Sequence, residues 1–259
     1  DYDTEEVERK MSVKTALLTG EWNKFHFDLM DTPGYADFIP ETLSALRVAD
    51  GSVVVIDAAA GIDVGTERVW RYARDLNLPR MVFVNKMDRA DSDGPDILTQ
   101  IQERFGREAV AFQHPLNPGE GFHQVVDLID MKLITYVDGK AEESEIPADL
   151  QDEVSTLHEH LVEAVAETDE ELMETYFGDG GLGVEALKEG LRKAVLAGQF
   201  FPVLFGDAHN NVAADRLLGA VADYFPSPAE SPGLSLTDAD GNEHTLVAGA
   251  VTEPDVDPK

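Results

Sequence analysis

The chain has no cysteine, which excludes disulfides and thiolate metal sites. It also lacks a signal-peptide pattern and any apolar run long enough to span a bilayer, so no membrane association and a cytoplasmic location are expected. Positive charge is scarce: Lys and Arg total 20 against 51 Asp and Glu, a net charge of -31. The average field of such a chain repels phosphate and excludes general nucleic-acid binding through a basic surface. No internal repeat or low-complexity tract occurs. What remains is a globular composition, 43% hydrophobic over 259 residues, enough for one large domain or two modest ones. The chain opens on "DYDTEEVERKMSV", without an initiator methionine, and closes on "HTLVAGAVTEPDVDPK", which reads as a strand just begun. Both ends suggest a part of a longer protein.

Periodicity divides the chain. A first strand is expected around residues 11–18, joined through "TGEWN" to a second at 25–30, where Phe25, Phe27 and Leu29 alternate with His26 and Asp28. The stretch "IPETLSALRVAD" carries Leu43, Leu46 and Ala49 at helical spacing. "GSVVVID" and "PRMVFVN" are unbroken apolar runs of the kind found in buried parallel strands, and "VGTERVWRYARDLNL" between them reads as a helix. Strand, helix, strand, helix, strand in close order predicts a parallel sheet with right-handed crossovers. Beyond residue 91 the rhythm changes. "DILTQIQERFG" is a short helix stopped by Gly106, "FHQVVDLIDMKLITYVDGK" suggests strands with an Asp-Gly turn, and acidic helices follow. Among these helices, Thr168 and Glu171 fit a capping box and Gly178 a stop. "FFPVLFGDAHN" returns to a buried strand, followed by a helix that ends at Pro226. The middle therefore reads as an insertion into an α/β domain.

Two motifs carry chemistry. In "FHFDLMDTPGYADF", Pro33 cannot donate to a ladder and Gly34 permits unusual backbone angles, so the strand ends at an acidic residue followed by a tight turn. Asp31 could hold magnesium through a water, and the Gly34 N–H could bond the terminal phosphate of a nucleoside triphosphate; loss of that phosphate would release the segment behind it. The second motif is "NKMD", residues 85–88. Guanine presents an N1–H beside a 2-amino group, and the Asp88 carboxylate can accept both in a charge-assisted pair that adenine cannot offer. Asn85 either bridges neighbouring loops or contacts the base, and the Lys86 stem can lie along the base plane. Other features read as ordinary structure. The histidines at 26, 114, 158 and 160 show no ligand spacing, Trp22 and Trp70 read as packing residues, and Asp63 and Glu67 read as surface charges at a helix start.

With these motifs in order, the chain resembles the GTPase region of translation elongation factor G, in the P-loop GTPase superfamily. The resemblance runs through "DTPGYADF", "VVVIDAAAGIDVGTERVWRYARDLNLPRMVFVNKMDR", "FFPVLFGDA" and "LLGAVADYFPSP". It implies a mostly parallel P-loop GTPase-type sheet flanked by helices, with residues 1–106 and 200–229 as the core. It further implies an inserted α+β subdomain at 107–199, and a linker and the start of a β-barrel domain at 230–259. GTP or GDP with Mg²⁺ and the ribosome are the implied ligands and partner. Asp31, Thr32, Pro33 and Gly34 would form the phosphate-sensing switch, while Asn85, Lys86 and Asp88 would read guanine.

This sequence departs from the family in four places. No G-x-x-x-x-G-K-[ST] phosphate loop occurs in it, so the sheet's first strand and that loop are missing, and the fragment alone is expected to be inactive. "ERKMSV" puts Ser12 where the family has a magnesium-contacting threonine, a role its hydroxyl can keep. Tyr35 stands where the family has a histidine that positions the attacking water. Phenols ionise near pH 10 and are poor bases at neutral pH, so a nucleotide-dependent ribosome-binding module with slow or no hydrolysis is the alternative reading. Finally, "GDAHNN" replaces a Ser-Ala pair, so Asp207 and Ala208 match in position only, with the Ala208 N–H in reach of the guanine carbonyl. Removing an interior strand would leave edges with unpaired backbone groups, and a gapped, repacked or externally completed sheet is expected.

Overall fold

The computed structural model describes residues 3–248 except 90, 93 and 239; the last part of the expected barrel start, residues 249–259, lies outside them. In chain order the elements are helix α1 (Thr4–Arg9), strands β1 (Ala16–Trp22) and β2 (Phe25–Asp31), helix α2 (Ile39–Leu46), β3 (Ser52–Asp57), α3 (Val64–Asp75), β4 (Arg80–Asn85) and α4 (Gly94–Phe105). There follow β5 (Ala109–Ala111), β6 (Gln113–Leu116), β7 (Gln124–Asp127), β8 (Lys132–Val137) and β9 (Lys140–Ser144). Helices α5 (Gln151–Ala166), α6 (Glu170–Asp179) and α7 (Val184–Leu196) lead to β10 (Phe201–Phe205), α8 (Ala214–Tyr224), β11 (Leu234–Thr237) and β12 (Glu243–Leu246). None of the helices among the described residues is long and apolar enough to cross a membrane.

The fold is α/β, with a parallel sheet in the order β3-β4-β10-β5 flanked by helices. Its two inner strands, β4 and β10, are buried almost throughout, as their apolar runs require. Alternation sends Met81, Phe83 and Leu204 into one core with α5, α7 and α8, while Val82, Val84, Val203 and Phe205 enter a second core with α3 and α4. The antiparallel sheet β6-β7-β8-β9 contributes to both: Val126 and Leu133 join the first core, Val125 and Ile134 the second. The segment after α4 thus packs continuously with the parallel sheet and lends it the edge strand β5. The β8–β9 hairpin turns on Asp138 (φ 50°) and Gly139 (φ 71°), the two-residue Asp-Gly connection expected from the sequence.

The sheet is gapped on its other side. Among the described residues β2 pairs only with β1, antiparallel, and does not pair with β3. A groove of about 2440 Å³ separates them, lined by every residue of β2 and of β3 and floored by parts of α2, α3 and α8. β3, expected as a buried strand, is therefore an edge, and its Val55 is 57% exposed. Trp70 is a packing residue: its ring stacks on Phe105 at 4.2 Å and meets Phe201 edge-on at 5.0 Å, and the buried Arg80 guanidinium lies over both the Trp70 and Phe201 rings.

Several local boundaries differ from expectation. The first strand begins at Ala16 rather than near residue 11, because the buried Glu6 carboxylate accepts the N–H groups of Val13 (2.8 Å) and Lys14 (2.9 Å) and holds that stretch out of strand geometry. Helix α6 is capped by Asp169, whose carboxylate accepts from the Glu171 and Leu172 N–H groups. The Thr168 hydroxyl instead donates to the Val165 carbonyl at 2.7 Å, and the helix runs past Gly178 to a left-handed Gly180.

Candidate functional site

The carboxyl ends of β3, β4 and β10 lie side by side, the place where open parallel sheets bind ligands. The β3–β4 register sets Asp57 beside Asn85, and β10 leads into the loop from Gly206 to Ala213. Asn85 bridges loops: its side-chain oxygen accepts the N–H of its neighbour Lys86 (2.8 Å) and that of Ala208 (2.9 Å). Of the two roles open to Asn85 in the sequence, loop bridging is the one its oxygen fills here, and the Ala208 N–H is engaged with it. Met87, fully buried, pins the turn by donating to the Gly206 carbonyl and accepting from Gly119 N–H. Asp88 is half-buried next to it, with no hydrogen bond to its carboxylate among the described residues.

Asp57 was not singled out in the sequence, yet it anchors this corner. One of its oxygens accepts from Lys86 Nζ (2.8 Å) and Arg89 Nη1 (3.1 Å), the other from the Ala59 and Ala60 N–H groups. Burial opposes its ionisation, but these partners outweigh it and hold its carboxyl below the usual carboxylate range. The sequence signal was available in principle: an aspartate ending a parallel strand, beside a lysine-bearing strand end.

Asp207 is completely buried and serves its own loop. Its carboxylate accepts from His209 N–H and from the Asn210 amide, and its backbone forms a two-way bridge with Val212. Gly206 permits this close approach. A Cβ there would lie 2.6 Å from both the Val212 carbonyl oxygen and the Phe83 ring. Backbone cannot yield as a side-chain tip can, so Gly206→Ala is expected to cost about 2 kcal/mol of stability in urea denaturation.

The residues expected to sense phosphate stand apart from this corner, on the far wall of the groove. Asp31 is the last residue of β2, exposed, with no hydrogen-bond partner for its side chain among the described residues. Pro33 is buried, and its carbonyl accepts from the Thr42 hydroxyl of α2 at 3.3 Å, which ties the turn to that helix. Thr32 is half-buried beside it, and a Cβ at Gly34 would meet nothing within 4 Å, so this backbone is open to approach. Tyr35 is 61% exposed and caps the short 3-10 turn Ala36–Phe38 without a side-chain hydrogen bond. Ser12 lies half-buried in the stretch ordered by Glu6, four residues before Ala16, which pairs with Asp31 across the hairpin. No group of three or more His, Asp or Glu side chains placed to hold a metal occurs among the described residues.

Two comparisons bear on this geometry. A family profile described as "Elongation factor Tu GTP binding domain" matches residues 1–227. The crystal structure of ttk003000868 from Thermus thermophilus superposes with a TM-score of 0.83 at 29% identity, over 95% of this chain and 42% of that one. The chain thus spans less than half the length of that protein.

Proposed function

The chain belongs to the elongation factor Tu GTP-binding domain family, and from that premise we propose that it is the GTP-binding and GTP-hydrolysing region of an elongation factor G-like translational GTPase, acting on the ribosome in the cytoplasm. The observation that carries the reading is the corner at the ends of β4 and β10. There Asn85 ties the 85–88 turn to the loop at Ala208, and the Asp88 carboxylate is left without a partner among the described residues. That arrangement suits a ligand with two adjacent donors, as guanine has.

The residues also fit magnesium of the kind that accompanies nucleotides. Mg²⁺ keeps most of its waters and takes only one or two protein ligands, so no acidic cluster is needed, and in this reading the exposed Asp31 carboxylate and the Ser12 hydroxyl would be those ligands. When bound, the ion would neutralise charge on the phosphates. Gly34 would offer its open backbone N–H to the terminal phosphate, with Thr32 and Pro33 shaping the turn and Thr42 holding it on α2. A glycine-rich phosphate loop is not among the 259 residues. The groove between β2 and β3, with a strand edge on each side, is where a segment carrying one would complete both the sheet and the phosphate site.

Tyr35 favours a second reading, a ribosome-binding module that switches with nucleotide but hydrolyses it slowly. Its phenol stands exposed directly after Gly34, where a water-positioning base would act. Both readings share one expectation. The full-length protein binds GDP with Mg²⁺ at least 100-fold more tightly than ADP, measured by calorimetry, since adenine offers Asp88 no donor pair. Equal affinity for the two would overturn the site assignment.

A further inference from the structure

The hairpin β8–β9 belongs to the segment inserted between β5 and β10, yet its tip reaches the loop that follows β10. The Asn211 side-chain amide donates to the Gly139 carbonyl at 2.8 Å. Asn211 itself is in a left-handed conformation (φ 56°), which asparagine tolerates better than most residues, and so is Ala213 (φ 62°), which has no such tolerance. The Asp207 hydrogen bonds hold this loop from within, and the hairpin adds a contact from outside. Two more fix the hairpin to the start of α8: the Tyr136 hydroxyl donates to Asp215 at 2.7 Å, and Arg216 pairs with Glu143 at 2.8 Å. From Asn211 the path to the base corner is short. Val212 and Asp207 exchange both backbone hydrogen bonds (2.8 and 3.0 Å), and the next residue, Ala208, donates to Asn85.

We infer that Asn211 is a positioning residue for guanine-nucleotide binding: through the Gly139 carbonyl, the inserted hairpin holds the Gly206-to-Ala213 loop in the shape that sets Ala208 against Asn85. The inference rests on the placement of the base at Asn85 and Asp88. Because Asn211 acts on the base side alone, its loss affects GDP and GTP by the same factor and leaves the phosphate side untouched. A coupling through one hydrogen bond has a modest size. The inserted segment would in this way bias nucleotide residence from outside the phosphate site.

The test uses Asn211→Ala and Asn211→Asp in the full-length protein; the aspartate keeps the size but cannot donate to a carbonyl. Dissociation of a fluorescent GDP is expected to accelerate about 3- to 10-fold in both variants, the same factor is expected for GTP, and the Mg²⁺ dependence of affinity stays unchanged. Unchanged dissociation, or an effect confined to GTP or to the Mg²⁺ midpoint, overturns the inference. A second measurement needs no nucleotide: amide hydrogen exchange at Ala208 and Val212 should speed up in both variants, and unaltered exchange refutes the positioning. If the parent protein bound no guanine nucleotide, the functional reading would fall while the exchange result still decided whether the hairpin orders the loop.

Discussion

Replacing Asp88 by asparagine in the full-length protein is expected to weaken GDP binding by about 100- to 1,000-fold and to make xanthosine diphosphate the preferred ligand. In the proposed site the carboxylate would accept two donors from guanine, and hydrogen bonds to a charged group contribute roughly 1.5–3 kcal/mol each, so losing most of the pair gives a change of that order. An asparagine accepts one donor and presents an N–H₂ to the other, a mismatch with the 2-amino group of guanine. Xanthine carries a carbonyl at that position and restores the match. The substitution should leave the fold intact. The turn is held by Met87, which donates to Gly206 and accepts from Gly119, and by Asn85, while the Asp88 side chain holds nothing else in place among the described residues. Competition between GDP and xanthosine diphosphate, followed by calorimetry, reads the change directly. Unaltered preference for guanine would put the base somewhere other than the end of β4.

Much of this corner was legible in the sequence because its parts are local. The apolar run of β4 predicts a strand end at Asn85, and the residue types that follow it have few uses together. The turn at Asp138 and Gly139 was legible for the same reason, since two left-handed positions in a row leave little choice of residues. What the sequence hid depends on register and on competition between groups far apart in the chain. Asp57 meets Lys86 only because β3 and β4 pair with those two strand ends level. Asn211 meets Gly139 across 72 residues, and nothing in either stretch announces it. The late start of β1 follows from Glu6, one of three glutamates in a helix of six, whose carboxylate reaches forward to claim two N–H groups a strand would have used. Thr168 and Asp169 competed for one cap, and the aspartate won because the threonine hydroxyl had a carbonyl of the preceding helix within reach. The gap beside β3 was foreseeable in kind, from the absent phosphate loop, but whether the sheet would close, repack or stay open depends on packing among α2, α3 and α8.

Tyr35 sets the rate question. Imidazoles ionise near pH 6.5 and phenols near 10, and a positioned acid–base group is worth roughly 100-fold or more in a hydrolytic step. Tyr35→His in the full-length protein is therefore expected to raise ribosome-stimulated phosphate release at saturating GTP by about 100-fold if the phenol is what limits hydrolysis. The structure makes this a clean substitution. The side chain is 61% exposed, makes no hydrogen bond as the cap of the Ala36–Phe38 turn, and that turn is closed by backbone alone, from Phe38 N–H to the Tyr35 carbonyl at 3.0 Å. Stability should then stay within about 0.5 kcal/mol of the parent, as for other surface changes, so a gain in rate reports chemistry rather than folding. GDP affinity should not move, because the proposed base site at Asn85 and Asp88 lies at the far side of the groove. Robust phosphate release with Tyr35 in place, and a gain of less than about threefold with histidine, would sink the slow-hydrolysis reading. The phenol would then be enough to hold the water, with the phosphates and the metal supplying the rest of the driving force.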